Sequence, residues 1–139
     1  MPDTSYNALV LGSSGLIGIE TINLLLNNNK YSVVYSISRS KLPIQNDKLV
    51  QILTDIDNVE TRIRDLHIDH LFSCIGTTVS KTPDKNQYYS IDLKYPQTVA
   101  NILHSNGCNI ICLVSSVGAN TSSNNFYLKL KGNVEEAIK

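Results

Sequence analysis

Two polar side chains near the end of the sequence have the types and spacing needed for proton transfer. Tyr127 and Lys131 are four residues apart, so they share one face of a helix. A phenol, whose pKa is about 10, exchanges protons poorly at neutral pH until a nearby cation lowers that pKa. Upstream, Ser115 and Ser116 end an apolar run, where a hydroxyl could hold a carbonyl oxygen beside the phenol. The same Tyr–Lys spacing also occurs on the solvated face of an amphipathic helix. The pair therefore indicates catalysis only if the surrounding elements place it in a site.

The stretch VLGSSGLIGIE, residues 10–20, contains three evenly spaced glycines, Gly12, Gly15 and Gly18. A short apolar run typical of a buried strand precedes them, and a helical pattern follows. In that setting, glycines allow a tight turn, a close approach of the backbone to phosphate, and close packing of the helix on the sheet. The amides and the dipole of the helix N-terminus favour an anion. The stretch predicts a dinucleotide site; the alternative is one turn glycine followed by two packing glycines.

The residue that ends the second strand indicates which dinucleotide is bound. In NAD-binding chains an acidic residue about 20 positions after the glycines binds the ribose hydroxyls. Here that place is held by Arg39, 21 residues after Gly18, and the next acidic residue is Asp47. A guanidinium suits a bidentate contact with phosphate. The sequence therefore favours NADP over NAD, the alternative being that Arg39 is a solvated surface residue.

Alternating strand and helix patterns along the chain would position these residues. Apolar and β-branched runs predict five strands, over residues 6–11, 31–38, 48–53, 70–76 and 109–116. Their nearly continuous apolar content predicts burial on both faces. Helical spacing predicts four helices, over residues 15–26, 57–67 (capped by Asp57), 88–105 (with a kink or a late start at Pro96) and from 126 onward. This alternation implies a doubly wound α/β domain, a Rossmann fold whose parallel sheet has the order 3-2-1-4-5.

The composition is that of a globular domain. Of 139 residues, 42% are hydrophobic and 17% charged, and the formal net charge is zero, so nucleic acid is not expected as a partner. No apolar run approaches the roughly 18 residues that span a bilayer, so a membrane is not expected either. Cys74, Cys108 and Cys112 have apolar neighbours typical of buried reduced thiols, which predicts a cytoplasmic setting. Neither the spacing of Cys108 and Cys112 nor the pair His67 and His70 predicts a metal site.

The motifs LGSSGLIG, CIGTT, LVSSVGA and FYLKLKGNVEE, in this order, resemble the atypical NAD(P)-binding branch of the short-chain dehydrogenase/reductase superfamily, within it the TIP30-like oxidoreductases. The resemblance implies that Ser14, Gly15, Leu16 and Ile17 line the pyrophosphate, that Ser38 and Arg39 meet the adenosine ribose and its 2′-phosphate, and that Asp55 approaches the adenine. It implies that Ile75, Gly76 and Thr77 flank the cofactor. Gly12 and Gly18 of the glycine pattern, with Tyr127 and Lys131, complete the predicted cofactor-binding residues. The resemblance also implies that Tyr127 is the catalytic acid/base and that Lys131 binds the nicotinamide ribose and tunes the phenol. Ser116 fits the family's serine better than Ser115, and the adjacent hydroxyls leave the choice open.

Two further expectations come from the resemblance. Asp92 falls near the place where many members of the superfamily have an asparagine. Members of the group also continue well past the tyrosine–lysine helix, and the final helix here shows no stop signal. Residues 1–139 are therefore expected to be one NAD(P)-binding domain and the N-terminal portion of a longer protein.

The prediction for function is an NADP-dependent oxidoreductase that transfers a hydride between nicotinamide and a small-molecule carbonyl or alcohol. A non-catalytic NADPH-sensing or scaffold protein is the first alternative, and measured turnover separates the two. A nucleotide-sugar epimerase-like enzyme, which would use the same residues, is the second. The sequence does not identify the substrate, and it leaves open whether the chain forms a homo-oligomer.

Overall fold

Five parallel strands form one sheet in the order β3-β2-β1-β4-β5, which confirms the predicted order. The computed structural model describes residues 5–75, 84, 86, 90–115 and 119–138. The strands are β1 (Tyr6–Leu11), β2 (Tyr31–Ser38), β3 (Leu49–Leu53), β4 (His70–Ser73) and β5 (Ile110–Leu113). The helices are α1 (Leu16–Leu26), α2 (Val59–Ile63), α3 (Tyr95–Ser105) and α4 (Phe126–Ile138).

Helices lie on both faces of the sheet. On one face, called the α1 face, the buried cluster is Ala8, Val10, Ile22, Leu25, Leu26 and Val34. On the other, called the α3 face, a larger cluster from the sheet, α2 and α3 includes Leu9, Leu11, Ile52, Ile63, Val99 and Leu103. Because side chains alternate along a strand, the unbroken apolar run of β1 supplies both clusters. None of the described helices is long and apolar enough to cross a membrane.

Helix α1 begins at an N-cap glycine and is tied at its carboxyl end to the segment before β3. At its start, Gly15 occupies the N-cap and accepts a hydrogen bond from the amide of Ile19 at 2.9 Å. At its end, Lys48 Nζ donates to the carbonyl oxygens of Leu26 and Asn28, at 3.2 and 3.1 Å. A cation suits the negative end of the helix dipole. These contacts fix the direction in which the amino end of α1 points.

The helices on the α3 face differ from the predicted bounds. Helix α2 ends at Ile63 instead of residue 67, and the carboxylate of Asp55, not Asp57, accepts the Asn58 amide at 3.1 Å. Pro96 marks a late start, because it lies in the first turn of α3, where its missing amide hydrogen is not needed. A π-helical turn, Ser90–Lys94, leads into α3, and predicted positions 88–89 lie outside the described residues.

Strands β4 and β5 are shorter than predicted, ending at Ser73 and Leu113. Burial on both faces, which holds for β1, does not hold for β5, where exposed and half-buried residues alternate. For that reason the expectation of a buried thiol is wrong for Cys112, which is exposed. Cys108 is buried as predicted, and Cys74 is half-buried.

Candidate cofactor and active site

Every strand ends at the same edge of the sheet, because all of the pairings are parallel. The predicted site residues that follow successive strands are Gly12, Arg39, Asp55, Ile75 and Ser115. Backbone hydrogen bonds continue past the strand ends, from the amide of Thr54 to Ser38 O at 3.1 Å and from that of Val114 to Ser73 O at 2.9 Å. The connections that leave this edge are therefore held side by side, where ligands bind in such sheets.

Gly12 and Gly18 lock the turn between β1 and α1. Gly12 has φ +79°, and a Cβ there would lie 2.8 Å from the backbone N and Cα of Ile75. A Cβ on Gly18 would press on the carbonyl oxygen of Gly12 and lie 2.8 Å from Ser13 Cα. No side chain fits at either place without moving backbone, so the two glycines hold loop, helix and β4 together.

Gly15 has a different environment. Among the described residues a Cβ there would meet only Gly12 O, at 3.6 Å, so this part of the structure leaves the space above it open. Gly15 has no side chain to cap α1, and helix geometry leaves the first amides of α1 without carbonyl partners. Ser14, Leu16 and Ile17 are exposed around it, Leu16 by 85%. Bare amides beside an open, glycine-floored niche fit the diphosphate of a dinucleotide.

Ser13, which was not among the predicted site residues, links this niche to β2 by a hydrogen bond. Its side chain is fully buried, and its Oγ donates to Ile37 O at 3.1 Å. The bond ties the glycine loop to the carboxyl end of β2, where the ribose end of a cofactor would lie. No local pattern signals it, because the partner is 24 residues away.

The ends of β2 and β3 carry the residues predicted to meet the adenosine. Ser38 is buried and its Oγ donates to Ser40 O at 2.6 Å, whereas Arg39 is exposed. Asp55 is half-buried, and its Oδ1 accepts from Asn58 Nδ2 at 2.8 Å. The Asp55 carboxylate is therefore held by the turn before α2, while the Arg39 side chain is available to a ligand.

Tyr95, also missed in the sequence, lies behind these residues at the start of α3. It is buried in the α3-face cluster beside Ile37 and Ile52. Burial raises the pKa of its phenol to about 12, the negative charge of Asp55 contributes, and Arg39 opposes the shift. Tyr95 is thus close enough to both charged residues to couple electrostatically with them.

Helix α4 carries the predicted catalytic pair. Asn125 caps it, because its Oδ1 accepts from the amide of Leu128 at 3.2 Å. Tyr127 lies in the first turn and Lys131 one turn later, where its side chain is 4% exposed. Leu130 is buried in a cluster that joins α4 to the turn before α3. The helix thus brings Lys131 into the protein interior instead of onto a solvated face.

Gly132, next to Lys131, is the clearest residue that sequence reasoning missed. A Cβ on it would lie 2.5 Å from the carbonyl carbon of Asn120 and from the amide nitrogen of Thr121. The amide of Asn120 also donates to Leu128 O at 3.0 Å. The segment that follows β5 therefore lies directly on α4. The glycine in LKGN is the available signal, since glycine inside a helix usually has a packing reason.

The serines at the end of β5 are described only in part. The Oγ of Ser115 is buried and has no hydrogen-bond partner among the described residues. Gly76, Thr77 and Ser116 lie outside the described residues, as do the side chains of Asp92 and Tyr127.

The histidines have structural partners. His67 Nδ1 is 2.9 Å from Asn106 O, and His70 Nδ1 is 2.9 Å from the Tyr31 hydroxyl. In the described ranges no group of three or more His, Cys, Asp or Glu side chains is arranged to hold a metal ion.

Solved structures share this fold. A short chain dehydrogenase family protein from Francisella tularensis superimposes with a TM-score of 0.75 at 21% identity, covering 95% of this chain and 60% of that one. A UDP-glucuronic acid 4-epimerase from Bacillus cereus, in complex with NAD, superimposes with a TM-score of 0.73 at 17% identity, covering 94% and 50%. At these identities the likeness establishes the fold alone.

A curated relative, the mitochondrial protein FMP52 of Candida glabrata, is 34% identical over 135 residues, which cover 97% of this chain and 58% of the relative. The chain thus spans less than two thirds of the length of the curated relatives it matches. These relatives are named FMP52, and a TIP30-like assignment stays a prediction. Because they are named mitochondrial, the expectation of a cytoplasmic setting is wrong.

The model of one protein family matches residues 8–129, which include most of β1, the glycine loop, the other four strands and the start of α4. The chain belongs to the NAD dependent epimerase/dehydratase family.

Proposed function

We propose that this chain binds NADP(H) through its opening crossover and acts as an NADP-dependent oxidoreductase on a small-molecule carbonyl or alcohol. The observation that carries the proposal is the niche above Gly15, where an added Cβ would meet a single atom of the described part of the chain, at 3.6 Å. At Gly12 and Gly18, on either side, an added Cβ would instead clash with backbone atoms. A glycine that the fold does not require, set at a bare helix N-terminus, is best explained by a ligand that approaches the backbone.

Different residues around the niche would bind different parts of the cofactor. The amides of Ser14, Gly15, Leu16 and Ile17 would bind the diphosphate, and Gly12 and Gly18 would keep the loop and helix in place. Ser38 and Arg39 would meet the adenosine ribose and its 2′-phosphate, and Asp55 the adenine. Ile75, Gly76 and Thr77 would flank the cofactor after β4, and Lys131 would bind the nicotinamide ribose.

The choice of NADP rests on Arg39. It is exposed at the carboxyl end of β2, and neighbouring Ser38 is turned toward Ser40 O. No acidic residue lies between Glu20 and Asp47 to bind the ribose hydroxyls of NAD. The family is described as NAD dependent, and NAD is bound in the Bacillus cereus structure. A bidentate guanidinium contact with phosphate is the reason to propose NADP for this chain.

The nicotinamide ring supplies hydride transfer when the cofactor is bound. The protein residues would handle the proton and the orientation of the substrate. Tyr127 would move a proton to or from the substrate oxygen, and the Lys131 ammonium would lower the pKa of the phenol. The Oγ of Ser115 is buried, so Ser116 is the better candidate to orient the substrate oxygen.

One other activity has a specific observation in its favour. The family model and the Bacillus cereus neighbour are described as epimerases or dehydratases, so an epimerase-like reaction on a nucleotide sugar is the second candidate. Such a reaction returns the hydride to the substrate, so the cofactor shows no net turnover. The mitochondrial names of the relatives lead us to propose the mitochondrion as the setting.

Turnover and binding of a Tyr127→Phe variant test the proposal. We expect NADPH oxidation with a panel of aldehydes and ketones to fall at least a hundredfold, because general acid catalysis contributes about that much or more. NADPH affinity, measured by cofactor fluorescence, should stay within threefold of the parent chain. If both chains bind NADPH and turn over no carbonyl, the sensor or scaffold interpretation replaces the enzyme. Exchange of labelled hydride without net oxidation would favour the epimerase.

A further inference from the structure

The connection between β2 and β3 has no helix of its own. We call it the connector, and it comprises residues 39–48, all of which the structure describes. Among these residues only Leu42 is buried, at 3% exposure, and Ile44 packs partly buried against the α1-face cluster. Because two apolar side chains give little contact area for a segment of this length, the position of the connector depends on hydrogen bonds.

Gln51 on β3 supplies two of those hydrogen bonds. Its Oε1 accepts from the amide of Leu42 at 2.7 Å, and its Nε2 donates to the carbonyl oxygen of Leu42 at 3.2 Å. One side chain thus satisfies both backbone groups of a buried residue. A carboxylate at this place could not donate, and an ammonium could not accept. The contact therefore requires a side-chain amide at position 51.

Arg39 lies between this contact and a second one. On the side of β2, Ser38 Oγ donates to Ser40 O at 2.6 Å and closes the turn around Arg39. On the other side, Gln51 holds Leu42. The backbone that carries Arg39 is therefore fixed on both sides, while its side chain is exposed. A phosphate that meets the guanidinium does not have to order this backbone, which favours binding.

We propose that Gln51 is a positioning residue that sets the preference for NADP by holding the connector, and with it Arg39, in place. The inference rests on the proposed function, and Gln51 acts through the backbone without touching the cofactor. Without its two hydrogen bonds, binding of the 2′-phosphate would have to order the connector, and that cost lowers the affinity for NADPH. NADH has no 2′-phosphate, so its binding does not depend on Arg39. The effect of Gln51 is therefore selective between the two cofactors.

Two substitutions at position 51 test this selectivity. Gln51→Met removes both hydrogen bonds and keeps an unbranched side chain of similar size. Gln51→Asn keeps the amide but is one carbon too short to reach Leu42, so it carries the test if the methionine variant does not fold. In each variant we expect the affinity for NADPH to fall roughly fivefold or more, and that for NADH to stay within about twofold, by cofactor fluorescence.

Trypsin reports on the connector directly, because it cleaves after arginine and lysine and the connector has exposed Arg39 and Lys41. Cleavage after these two residues should be roughly fivefold faster in Gln51→Met than in the parent chain. Cleavage elsewhere in the chain should change little, since a rise at every site would indicate global unfolding. This readout does not depend on any cofactor.

Asn106 offers a matched control at the opposite end of the strands. Its Nδ2 donates to Arg64 O at 2.8 Å and to Leu66 O at 2.9 Å, so it also joins two segments by an amide. Asn106→Leu replaces that amide by an apolar side chain of similar shape, as Gln51→Met does. We expect Asn106→Leu to leave both the preference for NADPH and the cleavage of the connector unchanged.

A double-mutant cycle separates a positioning role from a general structural one. Because Gln51 acts through Arg39, Gln51→Met should have no further effect on the preference in an Arg39→Ala chain. The same selective loss with and without Arg39, or a connector that trypsin cleaves no faster, would overturn the proposal. A preference that Arg39→Ala removes and Gln51→Met leaves intact would overturn the positioning role alone. A parent chain without any preference for NADPH would overturn the proposed NADP function and this proposal together.

Discussion

The two crossovers that carry the site are built in different ways. In the first, β1 to β2 through α1, the geometry comes from three glycines within seven residues and from backbone packed on backbone. In the second, β5 into α4, Lys131 is placed by a loop that lies on the helix at Gly132. The comparison teaches that the first crossover carries a compact glycine motif although its contacts reach Ile37 and Ile75, whereas in the second a single glycine, Gly132, marks where the loop lies on α4.

The largest expected effect is the loss of stability caused by a substitution that disrupts the first crossover. In Gly18→Ala the new Cβ would press on Gly12 O, which belongs to a turn that cannot yield without moving Ile75. We expect a loss of about 2–3 kcal/mol in the free energy of unfolding, measured in urea, because overpacking against backbone costs about that much. NADPH binding should be lost as well. Unchanged stability would mean that the helix does not lie on the loop.

The second crossover is tested by Gly132→Ala. Alanine inside a helix ordinarily stabilises by about 1 kcal/mol relative to glycine, but here its Cβ would lie 2.5 Å from the Asn120 carbonyl carbon. We expect a net loss of about 1–2 kcal/mol, with turnover reduced much more than NADPH affinity. Asn133→Ala, one residue further along α4, is the control. A gain in stability would contradict the close approach of the loop to α4.

Gly15→Ala tests whether Gly15 differs from Gly12 and Gly18, the two other glycines of the first crossover. Its Cβ would project into open space, so the free energy of unfolding should change by less than about 1 kcal/mol. NADPH affinity should fall about tenfold, equivalent to 1.4 kcal/mol, because the methyl group would occupy the place proposed for the diphosphate. Urea unfolding and cofactor fluorescence on the same sample separate the two effects. Equal affinity for the variant and the parent would argue that the niche is empty in the working protein.

The smallest expected effect is on stability at high pH. It concerns Tyr95, which is buried at the start of α3, behind the ends of β2 and β3. Its pKa is about 12 in the folded chain against 10.0 ordinarily, so the unfolded chain loses this proton first as pH rises. The stability contributed by Tyr95 should therefore be complete below pH 10 and decline between pH 10 and about 12. Tyr95→Phe removes that decline. Urea midpoints of the two chains across this range check the sign, and parallel curves would contradict the burial of the phenol.

The sequence predicted the architecture and the strand–glycine–helix pattern of the first crossover well, for a physical reason. The bounds of β1 and β2 match the predicted ranges, and α1 begins one residue late, because an apolar run ending at a glycine is a local signal. The roles of Ser13, Tyr95 and Gly132 were missed because each depends on a partner brought near only by folding. The exposure of Cys112 was missed although the predicted order already places β5 at the edge, because its apolar run predicted burial on both faces.

The central claim is that the opening crossover binds NADP. Its most direct test is to titrate NADPH and NADH against the parent chain and an Arg39→Ala variant, with cofactor fluorescence as the signal. The account predicts that the parent binds NADPH at least tenfold more tightly than NADH, and that Arg39→Ala removes most of that preference while NADH binding is kept. Tighter binding of NADH by the parent, or an equal preference for NADPH in the two chains, would contradict it.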